Sequence, residues 1–216
     1  MSIRWVCFVL FTVLVVGTAQ AGWGTGWRQG GQERPADTLS VEEAGHLRYL
    51  REEEKLARDV YDRMYQVWGL PIFDNISSAE QRHMDAALQV ISSYGLSDPA
   101  YLYAGEFSNG ELQALYDSLE AQGRASQLEA LLVGGLIEEV DMQDLHEMLA
   151  ATDNGTLISL YEKLLCGSRN HLRAFVRQIE NRGMVYEAQV LSQDKVDAIV
   201  DSSMERRCGA RRSGRR

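Results

Sequence analysis

Glu52-Glu53-Glu54-Lys55-Leu56-Ala57-Arg58-Asp59-Val60-Tyr61 (residues 52–61) is a densely charged run with a helical period inside it. Stepping outward by threes and fours, Leu47, Leu50, Glu54, Ala57, Tyr61, Met64 and Trp68 fall on one face of a single helix. Glu54 is the one acid on that otherwise apolar stripe. Upstream, Ser40-x-x-Glu43 forms a capping box that starts the helix. Downstream, Gly69 ends it, and Pro71 suits the first position of another.

The second helix runs from Pro71 to Tyr94 and is closed by Gly95. Ser77-x-x-Glu80 offers a later start, but Ile72, Ile76, Glu80, His83, Ala87, Val90 and Tyr94 keep one phase throughout. Residues 96–125 form a long connection holding a short amphipathic segment (Leu112, Leu115, Leu119). A third long helix opens at Ser126-x-x-Glu129, with Leu128, Leu131, Gly135, Glu138, Met142, Leu145 and Leu149 on its stripe. After a turn at Thr152-Asp153-Asn154, a fourth carries Leu157, Tyr161, Leu164, Ser168, His171 and Phe175 and stops by Gly183. Ser192 caps a small terminal helix reaching about Ser202. The expected fold is all-α: two antiparallel hairpins joined by a long crossover containing a short helix, the connectivity of ferritin-like four-helix bundles.

Glu54, Glu80, His83, Glu138 and His171 interrupt the apolar stripes, at least one on every long helix. A buried unpaired carboxylate costs several kcal/mol, so inward acids are normally paired or bound to a metal. Register brings them level. Glu54 lies 14 residues before the end of its helix, ~21 Å, and His83 lies 12 residues into the next, ~18 Å. In the second hairpin Glu138 and His171 match to about one turn. Glu80-x-x-His83 is the i, i+3 spacing that aims two side chains at one ion. Carboxylates with imidazoles suit iron, one or two ions, or manganese. The alternative is a metal-free helical scaffold or interaction protein whose inward acids are met by arginines and histidines.

Residues 54–61, read as Glu-x-x-Ala-Arg-x-x-Tyr, resemble the first-helix motif of rubrerythrin-type proteins. More broadly, segments 52–61, 79–84 (Ala-Glu-Gln-Arg-His-Met), 137–145 (Ile-Glu-Glu-Val-Asp-Met-Gln-Asp-Leu) and 167–175 (Gly-Ser-Arg-Asn-His-Leu-Arg-Ala-Phe) resemble a ferritin-like domain family of unknown function, DUF2202, over about Leu47 to Ile199. The resemblance implies the fold; by superfamily analogy it implies a di-iron or iron/manganese site for oxygen or peroxide chemistry or for metal handling. In one place the chain departs from the di-iron pattern. Such proteins carry Glu-x-x-His on the fourth helix too, and here Ser168 stands where the Glu would be. Asp141, Glu139 or water is left to replace it, or the site holds a single ion. No Cys-x-x-Cys pair is present to deliver electrons.

At the N-terminus, Arg4, an apolar run from Trp5 to Val16 and Ala19-Gln20-Ala21 read as a signal peptide over 1–21, cleaved after Ala21. The run is shorter than the ~20 residues of a spanning helix, so no membrane span is expected after its removal, and the mature protein is expected to be secreted or periplasmic. A Gly-rich linker is expected over 22–39, the helical domain over 40–203 and an Arg-rich disordered tail over 204–216. Without Arg4 and the six tail arginines, the 22 bases fall to 15 against 31 acids, near −16. That charge excludes nucleic acid as a natural partner. Metal ions are the expected partners; homo-oligomerisation and a protein partner stay open, as does pairing of Cys166 with Cys208.

Overall fold

The structure, a computed structural model, describes residues 38–206 and 208. The expected signal peptide and nearly all of the expected linker lie outside these residues. Among the described residues there are six helices and no strand: α1 (Val41–Trp68), α2 (Pro71–Ser93), α3 (Gly110–Gly123), α4 (Gln127–Ala150), α5 (Gly155–Glu180) and α6 (Gln193–Val200). None of them is long and apolar enough to cross a membrane.

The punctuation residues act as the sequence suggests. Ser40 Oγ accepts from Glu43 N while the Glu43 carboxylate accepts from Ser40 N, completing the capping box of α1. Gly69 turns the chain with φ 64°, a left-handed value that costs glycine little, and Pro71 opens α2 directly. So short a link makes α1 and α2 an antiparallel hairpin. Ser126 caps α4, and Asn154 caps α5 by accepting from Thr156 N and Leu157 N. The α4–α5 link is equally short, and these two helices form the second hairpin. The hairpins meet through α2 with α5 and α1 with α4, burying Leu47, Leu50, Val60, Met64, Leu131, Leu145, Leu164 and Phe175.

α1 is buried on more than one face because the crossover and α3 lie against its outer side. Arg51 forms a two-point ion pair with Asp98, and Glu52 accepts from Ser108 N and Oγ. Lys55, 1% exposed, donates to Asp59 Oδ2 and to the carbonyls of Tyr103 and Glu106. Those charged members of the opening motif therefore hold the crossover.

Of the expected Arg-rich tail over 204–216, residues 204–206 and 208 are described. Glu205 pairs with Arg169 and Arg173, and Asn170 bonds the Glu205 backbone on both sides. Cys166 and Cys208 are joined in a disulfide. These contacts hold the segment after α6 against α5. The remaining tail arginines beyond Arg206 lie outside the described residues.

Candidate metal centre

All five candidate ligands come together between the hairpins. α1 supplies Glu54, α2 supplies Glu80 and His83 one turn apart, α4 supplies Glu138, and α5 supplies His171. The three glutamates are each 2% exposed. Their donor atoms form two groups that share Glu80: Glu54, Glu80 and His83, then Glu80, Glu138 and His171. Within each group the donors lie within 4.8 Å of one another.

Glu80 faces both rings. Its Oε2 is 2.7 Å from His83 Nδ1 and its Oε1 is 2.7 Å from His171 Nδ1. Glu54 Oε2 lies 3.2 Å from His83 Nδ1, and Glu138 Oε2 lies 3.4 Å from His171 Nδ1. The Glu80–His171 approach is a close ion pair, and Glu80 Oε1 and His171 Nδ1, both buried, make no other contact of hydrogen-bond geometry among the described residues.

The glutamates and their neighbours line a void of about 10 Å³ whose wall is Glu53, Glu54, Ala57, Glu80, Ile137, Glu138 and Asp141. Void of that size takes about one water-sized particle. Four oxygens of its lining residues have no hydrogen-bond partner among the described residues: Glu53 Oε2, Glu54 Oε1, Glu80 Oε1 and Asp141 Oδ1. Buried acids in such number, unpartnered, are the environment a cation relieves. The arginines expected to offset them point elsewhere, Arg58 to Asp59 and Gln81 and Arg173 to the C-terminal segment.

Electrostatics follow from this crowding. Burial, then Asp141, pushes the Glu54 carboxyl well up against the opposing pull of His83. Burial and Glu138 push Asp141 up to about 7, although Ser168 bonds it. Burial also raises Glu138, with His171 opposing. For Glu80 the burial penalty is outweighed by His171 and His83, which hold it below its ordinary range. Burial disfavours a charged His171, yet Glu80 and Glu138 overcome it and hold the ring's pKa at about 10. His83 is raised the same way by Glu80 and Glu54. Without a metal, protons stand in for the missing positive charge.

One surround fixes the ligands. Tyr61 Oη donates to Glu138 Oε1 at 2.6 Å, and Tyr61, Phe73 and Phe175 form an aromatic cluster with centroids 5.3–6.2 Å apart. Gly134 admits Phe175, since a Cβ there would meet its ring at 2.4 Å. Of the replacements open for the fourth-helix carboxylate, Glu139 is otherwise engaged. It accepts from Tyr186 Oη and from the backbone N–H groups of Gln189, Val190 and Leu191. Asp141 lines the void and bonds the Ser168 hydroxyl, which also reaches the Leu164 carbonyl; its single proton serves one of them at a time. Glu53 escapes the periodic reading because it sits beside the stripe. Burial, and after it the nearby Asp144 of α4, push the Glu53 carboxyl well up.

The uncharacterized protein domain family DUF2202 matches residues 43–203, three quarters of the chain and every residue of this centre. The chain belongs to the DUF2202 family. A relative, the uncharacterized protein MJ0754 of Methanocaldococcus jannaschii, is 44% identical over 173 residues, covering 80% of this chain and 94% of its own length. The crystal structure of hypothetical protein MJ0754 superposes with a TM-score of 0.76, covering 78% of this chain and 97% of that one. The DUF2202 match begins at Glu43, in the first turn of α1, and ends beyond α6, so the family domain is the helical body described above.

Proposed function

We propose that this DUF2202 protein is a ferritin-like metal protein whose Glu54, Glu80, His83, Glu138 and His171 hold two ions of iron, or of manganese. The observation that carries the reading is Glu80: its two oxygens face two histidines on two helices, and it belongs to both donor groups. A carboxylate so placed would belong to the ligand sets of both ions. The donor set is oxygen and imidazole with no thiolate, which suits these metals. Bound there, such a pair supplies one-electron chemistry towards dioxygen or peroxide, or a store of the metal.

The chain's own residues have definable tasks. Glu54 and Glu138 close the site from either hairpin, and Tyr61 holds Glu138 by donating to the oxygen that does not face His171. Tyr61 is itself fixed by packing against the buried rings of Phe73 and Phe175. A metal-free scaffold is the weaker reading, since two protonated histidines leave Glu53, Glu54 and Asp141 with unpartnered buried oxygens.

The signal-peptide reading places the protein outside the cytoplasm, and the Cys166–Cys208 disulfide supports an oxidising compartment.

Elemental analysis of the purified mature protein tests the function, with Glu80→Gln and His83→Ala alongside. About two equivalents of iron or manganese, lost in both variants, support it. A metal-free wild type that takes up neither ion on anaerobic reconstitution rejects it.

A further inference from the structure

Resting on the metal reading above, we infer that Asp141 is a sixth ligand of the centre and Ser168 the residue that positions it. The carboxylate that the fourth long helix would carry at position 168 is thereby moved across the hairpin to α4.

α2 presents two donors one turn apart, Glu80 and His83, whereas α5 presents only His171, with Ser168 one turn before it. Opposite Ser168, Asp141 follows Glu138 by one turn on α4, so both carboxylates leave the same face. Asp141 is 7% exposed and lines the void shared with Glu54, Glu80 and Glu138. Its Oδ2 meets the Ser168 hydroxyl, and its Oδ1 has no hydrogen-bond partner among the described residues. Ser168 itself is fully buried. A glutamate at 168 would have to occupy the space where these two side chains meet. Serine there leaves room for Asp141 and supplies a donor to orient it, as hydrogen-bonded partners commonly orient carboxylate ligands.

Charge balance points the same way. Glu54, Glu80 and Glu138 bring three negative charges, one short of two divalent ions. Asp141 supplies the fourth. Glu53, the remaining acid on the void, lies on α1 with Asp144 of α4 beside it. Glu139 is already saturated by Tyr186 and three backbone N–H groups. Of the two further acids on the void, Asp141 is the one whose other oxygen is held from α5, by Ser168.

Anaerobic titration with iron(II), followed by elemental analysis after desalting, tests this on the mature wild type and three variants. The wild type is expected to bind two ions. Asp141→Asn should retain one, or bind the second at least about tenfold more weakly, and Ser168→Ala should keep both with affinity lowered about 10–100-fold. The double variant Asp141→Ala, Ser168→Glu, which returns the carboxylate to α5, should recover two ions. If Asp141→Asn binds two ions as tightly as the wild type, Asp141 is not a ligand and the metal reading stands without it. Should Asp141→Asn fail to fold by circular dichroism, the double variant decides: two ions support the assignment, one or none overturns it. A wild type that binds no iron(II) overturns both.

Discussion

The His83 ring rests on the backbone of α5 at Gly167, so closely that a Cβ there would stand 2.5 Å from His83 Cε1 and 2.6 Å from Nε2. Glycine in a helix interior costs roughly 0.5–1 kcal/mol relative to alanine, so its place here has a packing cause. The absent side chain lets α2 and α5 approach until the rings of His83 and His171 stack with centroids 5.5 Å apart.

Gly167→Ala should therefore destabilise the protein despite its better helix propensity. Overpacking of about 1–3 kcal/mol exceeds the propensity gain, and His83 must rotate away from Glu80. Urea denaturation and metal content read the two effects. Unchanged stability with full metal content would show that the His83 ring has room to move.

The metal-free protein should lose stability as pH rises above neutrality. Asp141, raised from 3.8 to about 7, and His171, raised from 6.5 to about 10, both bind protons more tightly folded than unfolded. Each contribution is complete below the unfolded value and gone above the folded one, so that of Asp141 is lost between about pH 4 and 7 and that of His171, which sets the decline above neutrality, between about 6.5 and 10. Glu80, held below its ordinary 4.5, acts oppositely, and its contribution is lost as pH falls beneath that value. Melting temperature in chelator should decline from about pH 6.5 to 10, and metal affinity should rise over the same range as ions displace these protons. A chelated protein that grows more stable from pH 7 to 9 would contradict the proton assignment.

Lys55→Met should cost less than the ~3–5 kcal/mol of leaving a buried charge uncompensated, because Arg58 still pairs with Asp59, but should release the crossover. Lys55 bridges Asp59 and the carbonyls of Tyr103 and Glu106, and its Nζ sits 4.4 Å from the centre of the Phe107 ring. Limited proteolysis should then cut within residues 98–108 before the hairpins open. Wild-type resistance there would assign the anchoring to Arg51 and Glu52 instead.

Cys208→Ser should lower stability by about 2–4 kcal/mol, since the disulfide closes a loop of 42 residues in the unfolded chain. The pairs of Glu205 with Arg169 and Arg173 remain, and so does every candidate ligand. Denaturation with and without a thiol reductant measures the loss, and metal content should not change. Loss of metal on reduction would tie the C-terminal segment to the centre.

Local signals determined a good deal of this protein. The capping box at Ser40, Gly69 followed by Pro71, and the serine cap of α4 set the helix ends through backbone groups a few residues away, so they can be read along the chain. The period of the stripes likewise named Glu54, Glu80, His83, Glu138 and His171 as inward, because a helix repeats its face every 3.6 residues. Periodicity reports that a face is buried, however, and not what is packed against it. Glu138, Glu139 and Asp141 are all buried on α4, yet only neighbours distant in sequence sort them: residues 186–191 claim Glu139, while Tyr61 and Ser168 turn Glu138 and Asp141 to the void. The Cys166–Cys208 bond and the covering of the charged side of α1 by residues 98–108 were settled in the same way. Such contacts depend on distances across the folded chain, which no local pattern carries.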